Sequence, residues 1–388
     1  MVSRNNEQSG KKSRKRFEFE VEVSSPIFNN ISQKKEKRFT SLVIFLFIVQ
    51  FYFYKRKLDE SAENLSSMSN LLRIIGTISR AEFLMPNLGS LILGLAWGAT
   101  PAIGLTTLAV LIVLSFTIVN GSSSIGAQIN TLSDYELDLK DPRKKNLTDA
   151  VDKFGKKRIK ILLSVEFIIT LVLVILFMYV NNNPWLLLMW IIGISLGWIY
   201  SAPPIRLKAR SWLAPVSLIL VLGIFPVLFA YFTFTTTVQP FFLLGLIGLA
   251  MTIYGVIIPT ETRDYFGDKT MKIETMTVHL GLVKACMMSI VLIGIGAIFF
   301  TAAYLLEWIN GPRPFLGLLL LIIPVSVFFV LTKIKKLHSL SKQYMNSQGN
   351  TTLKEQIVNL SAHNPQWIII ITQTYSILSI ILLINKFV

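Results

Sequence analysis

Residues 240–259 read PFFLLGLIGLAMTIYGVIIP, a run with no charged side chain, and residues 261–268 then read ETRDYFGD. A helix of about 20 apolar residues is about 30 Å long, which matches the hydrocarbon thickness of a bilayer. The run therefore predicts a transmembrane helix, and the charged residues after it predict that this helix ends at the membrane surface.

Eight other apolar segments occur along the 388 residues of the chain. With the run just described, they cover approximately residues 83–102, 104–129, 159–180, 184–202, 211–234, 240–259, 283–306, 313–332 and 366–385. Only 15% of the residues are charged, whereas about 25% is typical of soluble domains. The sequence thus predicts an all-α, polytopic membrane protein with nine transmembrane helices.

The basic residues are distributed unevenly. The N-terminus and the connections after the second, fourth, sixth and eighth segments are rich in Lys and Arg, while the other connections are nearly uncharged. Because Lys and Arg concentrate in cytoplasmic loops, we expect these regions in the cytoplasm. Nine spans then place the C-terminus outside, and we expect a plasma membrane location. The formal net charge of +16 therefore requires no nucleic acid partner, and we expect none.

The chain divides into three predicted regions. Residues 1–40 are polar and basic, which predicts a disordered cytoplasmic tail that contacts anionic membrane lipid. Residues 41–80 contain an apolar run that is shorter than the roughly 20 residues a span requires, so we predict an interfacial segment and a linker. Residues 81–388 form the nine-helix domain. One cysteine and three widely separated histidines argue against a disulfide framework and against a His or Cys metal cluster.

Aspartates are grouped after two of the apolar segments. The second segment is followed by NTLSDYELD, which places Asn130, Asp134 and Asp138 four residues apart and therefore on one face of a helix. Asp264 and Asp268 have the same spacing after the sixth segment. Because both segments are even-numbered, we expect both motifs to face the same compartment.

This grouping fits metal-assisted chemistry on a diphosphate. Mg²⁺ is usually held by one or two carboxylates together with substrate phosphates. Metal ions between two carboxylate clusters would neutralise and orient a diphosphate leaving group, so that the C–O bond of an allylic diphosphate breaks. One DxxxD motif alone is more simply a solvated helix end. The pairing of two motifs in equivalent positions is what predicts this site.

The connection after the fourth segment adds two cations. It reads YSAPPIRLK over residues 200–208, and its two prolines end the helix and stiffen the turn. Arg206 and Lys208 then project at the level of the aspartates, where a guanidinium fork and an ammonium group would capture phosphate. Ordinary cytoplasmic loop charge is the other interpretation, and the same two interpretations apply to Arg263 and Lys269.

Together these motifs resemble those of the UbiA superfamily of intramembrane prenyltransferases. The signatures are an Asn/Asp motif after the second helix, a Tyr-Ser-x-Pro-Pro-x-Arg-x-Lys loop after the fourth and a DxxxD motif after the sixth. The resemblance covers roughly residues 75–388. It implies a helical bundle around a central cavity, with a lateral opening to lipid and two Mg²⁺ ions at the acidic motifs. It also implies transfer of a polyprenyl group from an isoprenyl diphosphate to a lipophilic acceptor.

The resemblance also implies roles for single residues. Five residues are expected to bind the metal–diphosphate: Asn130, Asp134, Asp138, Asp264 and Asp268. The four aspartates among them are expected to act as catalytic groups. Those expected to contact phosphate are Arg206, Lys208 and Lys269, and those expected to line the site beside the reacting carbon are Tyr200 and Ser201. Asn87, near the start of the first segment, would contact the acceptor, although an N-terminal cap explains this residue equally well.

Two departures from the family pattern weaken any transfer of a particular substrate. Thr131 stands where many members have a second Asp, and residues 141–146 lack the Arg-Pro pair common in the quinone and haem enzymes. The acceptor is therefore left open between a quinone precursor, an ether lipid and similar compounds. A multi-span transporter and a non-catalytic membrane scaffold are the alternatives. Transporters, however, place ion-binding groups near the bilayer midplane, and a scaffold need not retain five metal-type side chains.

Overall fold

The computed structural model describes residues 65–100, 103–271, 273–309, 314–347 and 350–387. The predicted tail at 1–40 and the apolar run at 42–54 lie outside these residues. Contacts divide the chain into two units, Met1–Val49 and Gln50–Val388, and all described residues belong to the second. This second unit contains the motifs discussed above.

Helices make up almost all of the described chain. In the first half they are α1 (Leu65–Ile78), α2 (Leu84–Gly98), α3 (Leu105–Asp138), α4 (Lys145–Phe154), α5 (Lys156–Asn181), α6 (Trp185–Ser201), α7 (Leu213–Leu218) and α8 (Phe225–Phe232). In the second half they are α9 (Pro240–Thr270), α10 (Met276–Leu280), α11 (Leu282–Ile309), α12 (Ile322–Asn346), α13 (Thr351–Ala362) and α14 (Asn364–Phe387). Short 3₁₀ segments lie at Ala81–Phe83, Pro142–Lys144, Leu207–Ala209 and Pro314–Leu321.

Seven helical stretches within the described residues are long and apolar enough to cross a bilayer. They are Thr106–Asp138, Lys156–Asn181, Leu213–Phe232, Pro240–Thr270, Leu282–Ile309, Gly317–Asn346 and Thr351–Lys386. The apolar helix α6 is shorter, with 17 residues, and α2 has 15. The predicted all-α membrane class is confirmed, whereas the count of nine spans stays a prediction.

The two longest helices within the described residues both carry an acidic motif near one end. Helix α3 has 34 residues and α9 has 31, which correspond to about 51 and 46 Å at a rise of about 1.5 Å per residue. The hydrocarbon core is only about 30 Å thick. Both helices are therefore longer than this core, and the acidic motifs lie near the ends of the two helices.

The bundle holds α9 tightly through small residues and through a buried cluster at its end. A Cβ atom on Gly248 of α9 would lie 2.6 Å from the backbone nitrogen of Phe300 on α11, so the two backbones touch. At the far end of α9, helices α11, α12 and α13 pack around Tyr265, which adjoins Asp264. The buried members of this cluster are Tyr265, Leu282, Cys286, Leu337 and Ile357. This packing fixes the rotation of the second acidic motif.

A π-helical segment, Ile219–Ile224, joins α7 to α8 within one apolar span. Pro226 follows directly, near the start of α8. Proline lacks the N–H that the preceding turn would use and crowds the backbone before it, so the chain widens its turn at this point. Wide turns of this kind often occur beside functional sites.

Candidate active site

Asp134 is the centre of a hydrogen-bonded cluster at the end of α3. Its Oδ1 accepts a hydrogen bond of 2.9 Å from Arg206 Nη2, and its Oδ2 accepts one from Lys208 Nζ. One turn earlier, Asn130 Oδ1 accepts hydrogen bonds from Lys208 Nζ at 3.1 Å and from Ser201 Oγ at 3.0 Å. The structure therefore brings the first acidic motif together with the Tyr200–Lys208 connection.

The local backbone explains how this connection delivers its cations. Helix α6 ends at Ser201, and Pro203 and Pro204 follow, joined by a cis peptide bond. Arg206 has φ 42° and ψ 63°, in the left-handed region that non-glycine residues seldom adopt. Its backbone N–H bonds to Ala202 O at 3.0 Å, which closes the turn and directs the chain back towards α3.

The Asp138 carboxylate is buried, and only one of its two oxygens has a hydrogen-bond partner among the described residues. Its side chain is 4% exposed, and Oδ1 accepts a hydrogen bond of 2.6 Å from Lys144 Nζ. Oδ2 is buried and has no hydrogen-bond partner in the part of the chain that the structure describes. A buried carboxylate oxygen left in this state is costly unless a cation or a donor reaches it. Lys144 is 40% exposed, so it can withdraw into solvent.

The second acidic motif is paired differently. Arg263 Nε and Nη2 donate to the two carboxylate oxygens of its own neighbour Asp264, at 3.0 and 3.1 Å. One turn earlier, Glu261 Oε2 accepts from the backbone N–H of Thr277 at 3.2 Å and from its hydroxyl at 2.9 Å. Lys269 is exposed, and its Nζ lies 5.7 Å from the centre of the Tyr265 ring.

Tyr200 connects the two motifs in space. Asp134 of the first motif, and Glu261 and Asp268 at the second, are all close enough for their charges to act on its hydroxyl. Within the described residues, no three acidic, His or Cys side chains converge closely enough to hold a metal ion by themselves. Mg²⁺ normally takes only one or two carboxylates and completes its shell with substrate phosphates and water, so a site for it does not require three converging protein side chains.

The surroundings of Lys208 act on the pKa of its ammonium group in opposite directions. Burial lowers the pKa of its ammonium group, and the neighbouring charges of Arg206 and Lys144 lower it further, while the contact with Asp134 raises it. The overall direction is downward, because burial is the largest effect. Lys208 is therefore a partly desolvated donor that gains stability from any nearby anion, whether a carboxylate or a phosphate.

Comparison with known proteins assigns the chain to a family. The model of the UbiA prenyltransferase family matches residues 84–349, which is more than half of the chain. The chain belongs to this family. A UbiA homologue from Archaeoglobus fulgidus bound to GPP and Mg²⁺ has a TM-score of 0.53 and 18% identity, covering 77% of this chain and 99% of that one.

Two further relatives extend the comparison. A digeranylgeranylglyceryl phosphate synthase structure has a TM-score of 0.55 and 16% identity, over 80% of this chain and 99% of that one. At such identities the structures show the shared fold. A homogentisate phytyltransferase from Synechocystis sp. is 35% identical over 109 residues, which are 25% of this chain and 35% of that protein. The chain thus matches about a third of the length of this curated relative. The UbiA family and the seven apolar helices make the protein an integral membrane protein.

The structure places Asn87, the expected acceptor contact, away from the acidic motifs. Asn87 is 4% exposed and donates to Asn120 Oδ1 on α3 at 2.9 Å. Asn120 precedes Asn130 by ten residues, about 15 Å along a helix, so Asn87 lies well below the acidic cluster. Conversely, sequence reasoning did not single out Lys144 or Glu261. The spacing of Glu261 three residues before Asp264 could have indicated it, whereas Lys144 looked like ordinary loop charge.

Proposed function

We propose that this protein is a Mg²⁺-dependent intramembrane prenyltransferase that moves a polyprenyl group from an isoprenyl diphosphate to a lipophilic acceptor. The observation that supports it most strongly is the cluster around Asp134. In it, side-chain oxygens of the kind that bind metal ions accept hydrogen bonds from cations of the kind that bind phosphate. An enzyme that cleaves a metal-bound diphosphate needs these two kinds of group in one place. The relatives agree, since one binds GPP and Mg²⁺ and another is a phytyltransferase.

The proposed metal ligands come from both motifs. Asn130, Asp134 and Asp138 would face the first of two Mg²⁺ ions, and Asp264 and Asp268 would face the second. When bound, Mg²⁺ would neutralise the charge that develops on the leaving pyrophosphate. The buried, unpaired oxygen of Asp138 is where this chain fits a cation best.

Arg206 and Lys208 would bind phosphate once the aspartates take up metal. Both side chains now neutralise Asp134, and both would turn the same donors towards the diphosphate oxygens. Lys269, which is exposed, would add a weaker contact. Cations therefore stay paired before and after substrate binding, which avoids leaving a half-buried charge without a partner.

The proposed reaction breaks one bond and forms another at the allylic carbon. The bond between the allylic carbon and the diphosphate oxygen breaks, and pyrophosphate leaves with the electron pair. A nucleophilic atom of the acceptor bonds to the allylic carbon and then loses a proton. Tyr200 and Ser201 would lie beside this carbon, and the surrounding helices would exclude the water that otherwise captures the cation.

The acidic motifs and the N-terminus would face the cytoplasm, the C-terminus would lie outside, and the membrane would be the plasma membrane.

An assay of the purified full chain tests this proposal. The protein in detergent is incubated with geranylgeranyl diphosphate, Mg²⁺ and a mixed pool of hydroxylated aromatic and glycerol-based acceptors, and products are identified by mass spectrometry. We expect a prenylated product that disappears with EDTA and in Asp134→Asn. Asp149→Asn, a carboxylate change on α4 outside both motifs, is the matched control and should keep full activity. If geranylgeranyl diphosphate also fails to bind in the presence of Mg²⁺, the proposal is wrong.

A further inference from the structure

Helix α9 contains a proline, Pro259, shortly before the second acidic motif. A proline inside a helix lacks the N–H that would bond to the carbonyl oxygen four residues earlier, which here is Gly255 O. Pro259 precedes Glu261 by two residues and Asp264 by five. The orientation of the acidic segment therefore depends on the contacts that hold α9 at this proline.

A side chain of α11 satisfies the carbonyl oxygen that Pro259 leaves without its helical partner. Ser289 Oγ donates a hydrogen bond of 2.5 Å to Gly255 O, and Ser289 is fully buried. The bond runs between two helices, and water does not compete for it in the interior of the bundle. The part of α9 before the proline is thus tied to α11.

Asn364, the first residue of α14, bonds to α9 on both sides of the proline. Its Nδ2 donates to Val256 O at 2.8 Å, before Pro259, and to Thr260 Oγ1 at 2.6 Å, directly after it. Since only the NH₂ group of an amide can donate to a carbonyl, these bonds also fix the orientation of the side chain. Asn364 is 1% exposed. This one buried amide therefore joins the two parts of α9.

The acidic segment beyond the proline is held by side chains from two further elements. The Thr277 hydroxyl donates to the Glu261 carboxylate, and Tyr265 packs with Ile357 of α13. These contacts are made within the segment, whereas Asn364 contacts α9 where the helix lacks one of its own hydrogen bonds. Asn364 therefore acts at the point about which the segment would bend.

We infer that Asn364 is a positioning residue for the second acidic motif, which it holds in place through the backbone of α9 at Pro259. The inference rests on the proposed function and adds to the proposed site a residue more than 100 positions away from its partners in the sequence. Asn364 contacts neither metal nor diphosphate in this arrangement. It keeps the carboxylates of Asp264 and Asp268 in the place that metal–diphosphate binding requires.

Hydrogen exchange and ligand binding test this inference together. The full chain in lipid nanodiscs is placed in D₂O without metal or substrate, and deuterium uptake over residues 260–268 is followed by mass spectrometry. Uptake there should be about tenfold faster in Asn364→Leu than in the wild type, because the segment opens more often. The Mg²⁺ concentration for half-maximal binding of geranylgeranyl diphosphate should rise about five- to tenfold, because a less ordered motif must be ordered on binding.

Asn183→Leu is the matched control. Asn183 is 3% exposed, and its Nδ2 donates to Phe232 O at 2.5 Å. It follows the end of α5, whose start lies beside the first motif through the bond from Lys156 to Glu136, and the 26 residues of α5 span about 39 Å. This variant also removes a buried amide, so it should lower the thermal stability as Asn364→Leu does. It should change neither uptake over residues 260–268 nor the Mg²⁺ requirement.

Three results would overturn the inference: unchanged uptake over residues 260–268 in Asn364→Leu, an equal rise in Asn183→Leu, or an unchanged Mg²⁺ requirement in Asn364→Leu. If Asn364→Leu does not fold, Asn364→Ser takes its place, because serine favours the start of a helix and still lacks the amide hydrogens. Absence of Mg²⁺-dependent binding of geranylgeranyl diphosphate by the wild type would count against the proposed function. The uptake measurement, made without ligand, would still show whether Asn364 holds the segment.

Discussion

The two acidic motifs have the same DxxxD spacing but lie in different surroundings. In the first motif the Asp134 and Asp138 side chains are only 12% and 4% exposed, and cations from the following connections are bonded to both. In the second motif Asp264 is 31% exposed and is bonded by Arg263, its direct neighbour in sequence. The Asp134 carboxylate is thus tied to a distant part of the chain, whereas the Asp264 carboxylate is bonded to the next residue in sequence.

This difference indicates that the first motif has two roles. Asp134 joins α3 to the connection after α6 across more than 70 residues of sequence, so it stabilises the fold as well as the proposed site. The second motif is positioned instead by the packing of Tyr265 on α11, α12 and α13.

The largest expected effect is on catalysis, and it should not distinguish the motifs. Asp134→Asn and Asp268→Asn should each reduce prenyl transfer about 10³-fold or more, because each removes a charge from the proposed metal–diphosphate site. The measurement is product formation from geranylgeranyl diphosphate by mass spectrometry. Near-normal turnover in either variant would show that its motif is not part of the site.

Stability should distinguish the motifs. Asp134→Asn should lower the free energy of unfolding by about 1–3 kcal/mol, because it leaves the partly buried Arg206 and Lys208 without their counter-charge. Asp268→Asn should lower it by less, because the Asp268 side chain is only half-buried. Unfolding in detergent, followed by circular dichroism, measures both values. Adding Lys208→Met to Asp134→Asn should restore part of the stability and none of the activity. Equal destabilisation by both single variants would remove the distinction.

A smaller effect, on diphosphate binding, is expected from the planar shape of the Arg206 guanidinium. Arg206→Lys should weaken Mg²⁺-dependent binding of geranylgeranyl diphosphate about tenfold, because an ammonium group cannot form the two parallel hydrogen bonds of a guanidinium fork. Arg210→Lys, at an exposed position in the same connection, is the matched control. If both substitutions have the same effect, only the total charge of this connection matters.

The smallest effect is expected at the open end of the second motif. Lys269→Ala should weaken diphosphate binding only about two- to threefold, since its ammonium group is exposed and screened by salt. Isothermal titration at low and high ionic strength measures this, and the difference from the wild type should vanish at high salt. A loss as large as that of Arg206→Lys would place Lys269 inside the site and make the two motifs more alike.

The spacing of residues within single helices predicted much of this architecture, because such spacing depends only on residues close together in the sequence. Helical periodicity places Asn130, Asp134 and Asp138 on one face, and apolar length predicts the long helices that carry both motifs. The ion pairs were not predictable in the same way. Lys144 reaches Asp138 only because α3 ends there and the chain turns back through Pro142–Lys144. Lys208 reaches Asp134 only because α6 packs beside α3.

The most direct test of the central idea is a double-mutant cycle across the two motifs. Mg²⁺-dependent binding of geranylgeranyl diphosphate is measured for the wild type, Asp134→Asn, Asp268→Asn and the double variant. If both motifs bind one metal–diphosphate, the double variant should bind it only slightly more weakly than the single variant with the larger loss of affinity. The reason is that either substitution alone already disrupts the shared site. If the two losses add fully in free energy, the motifs act independently, and the account of a single site between them is wrong.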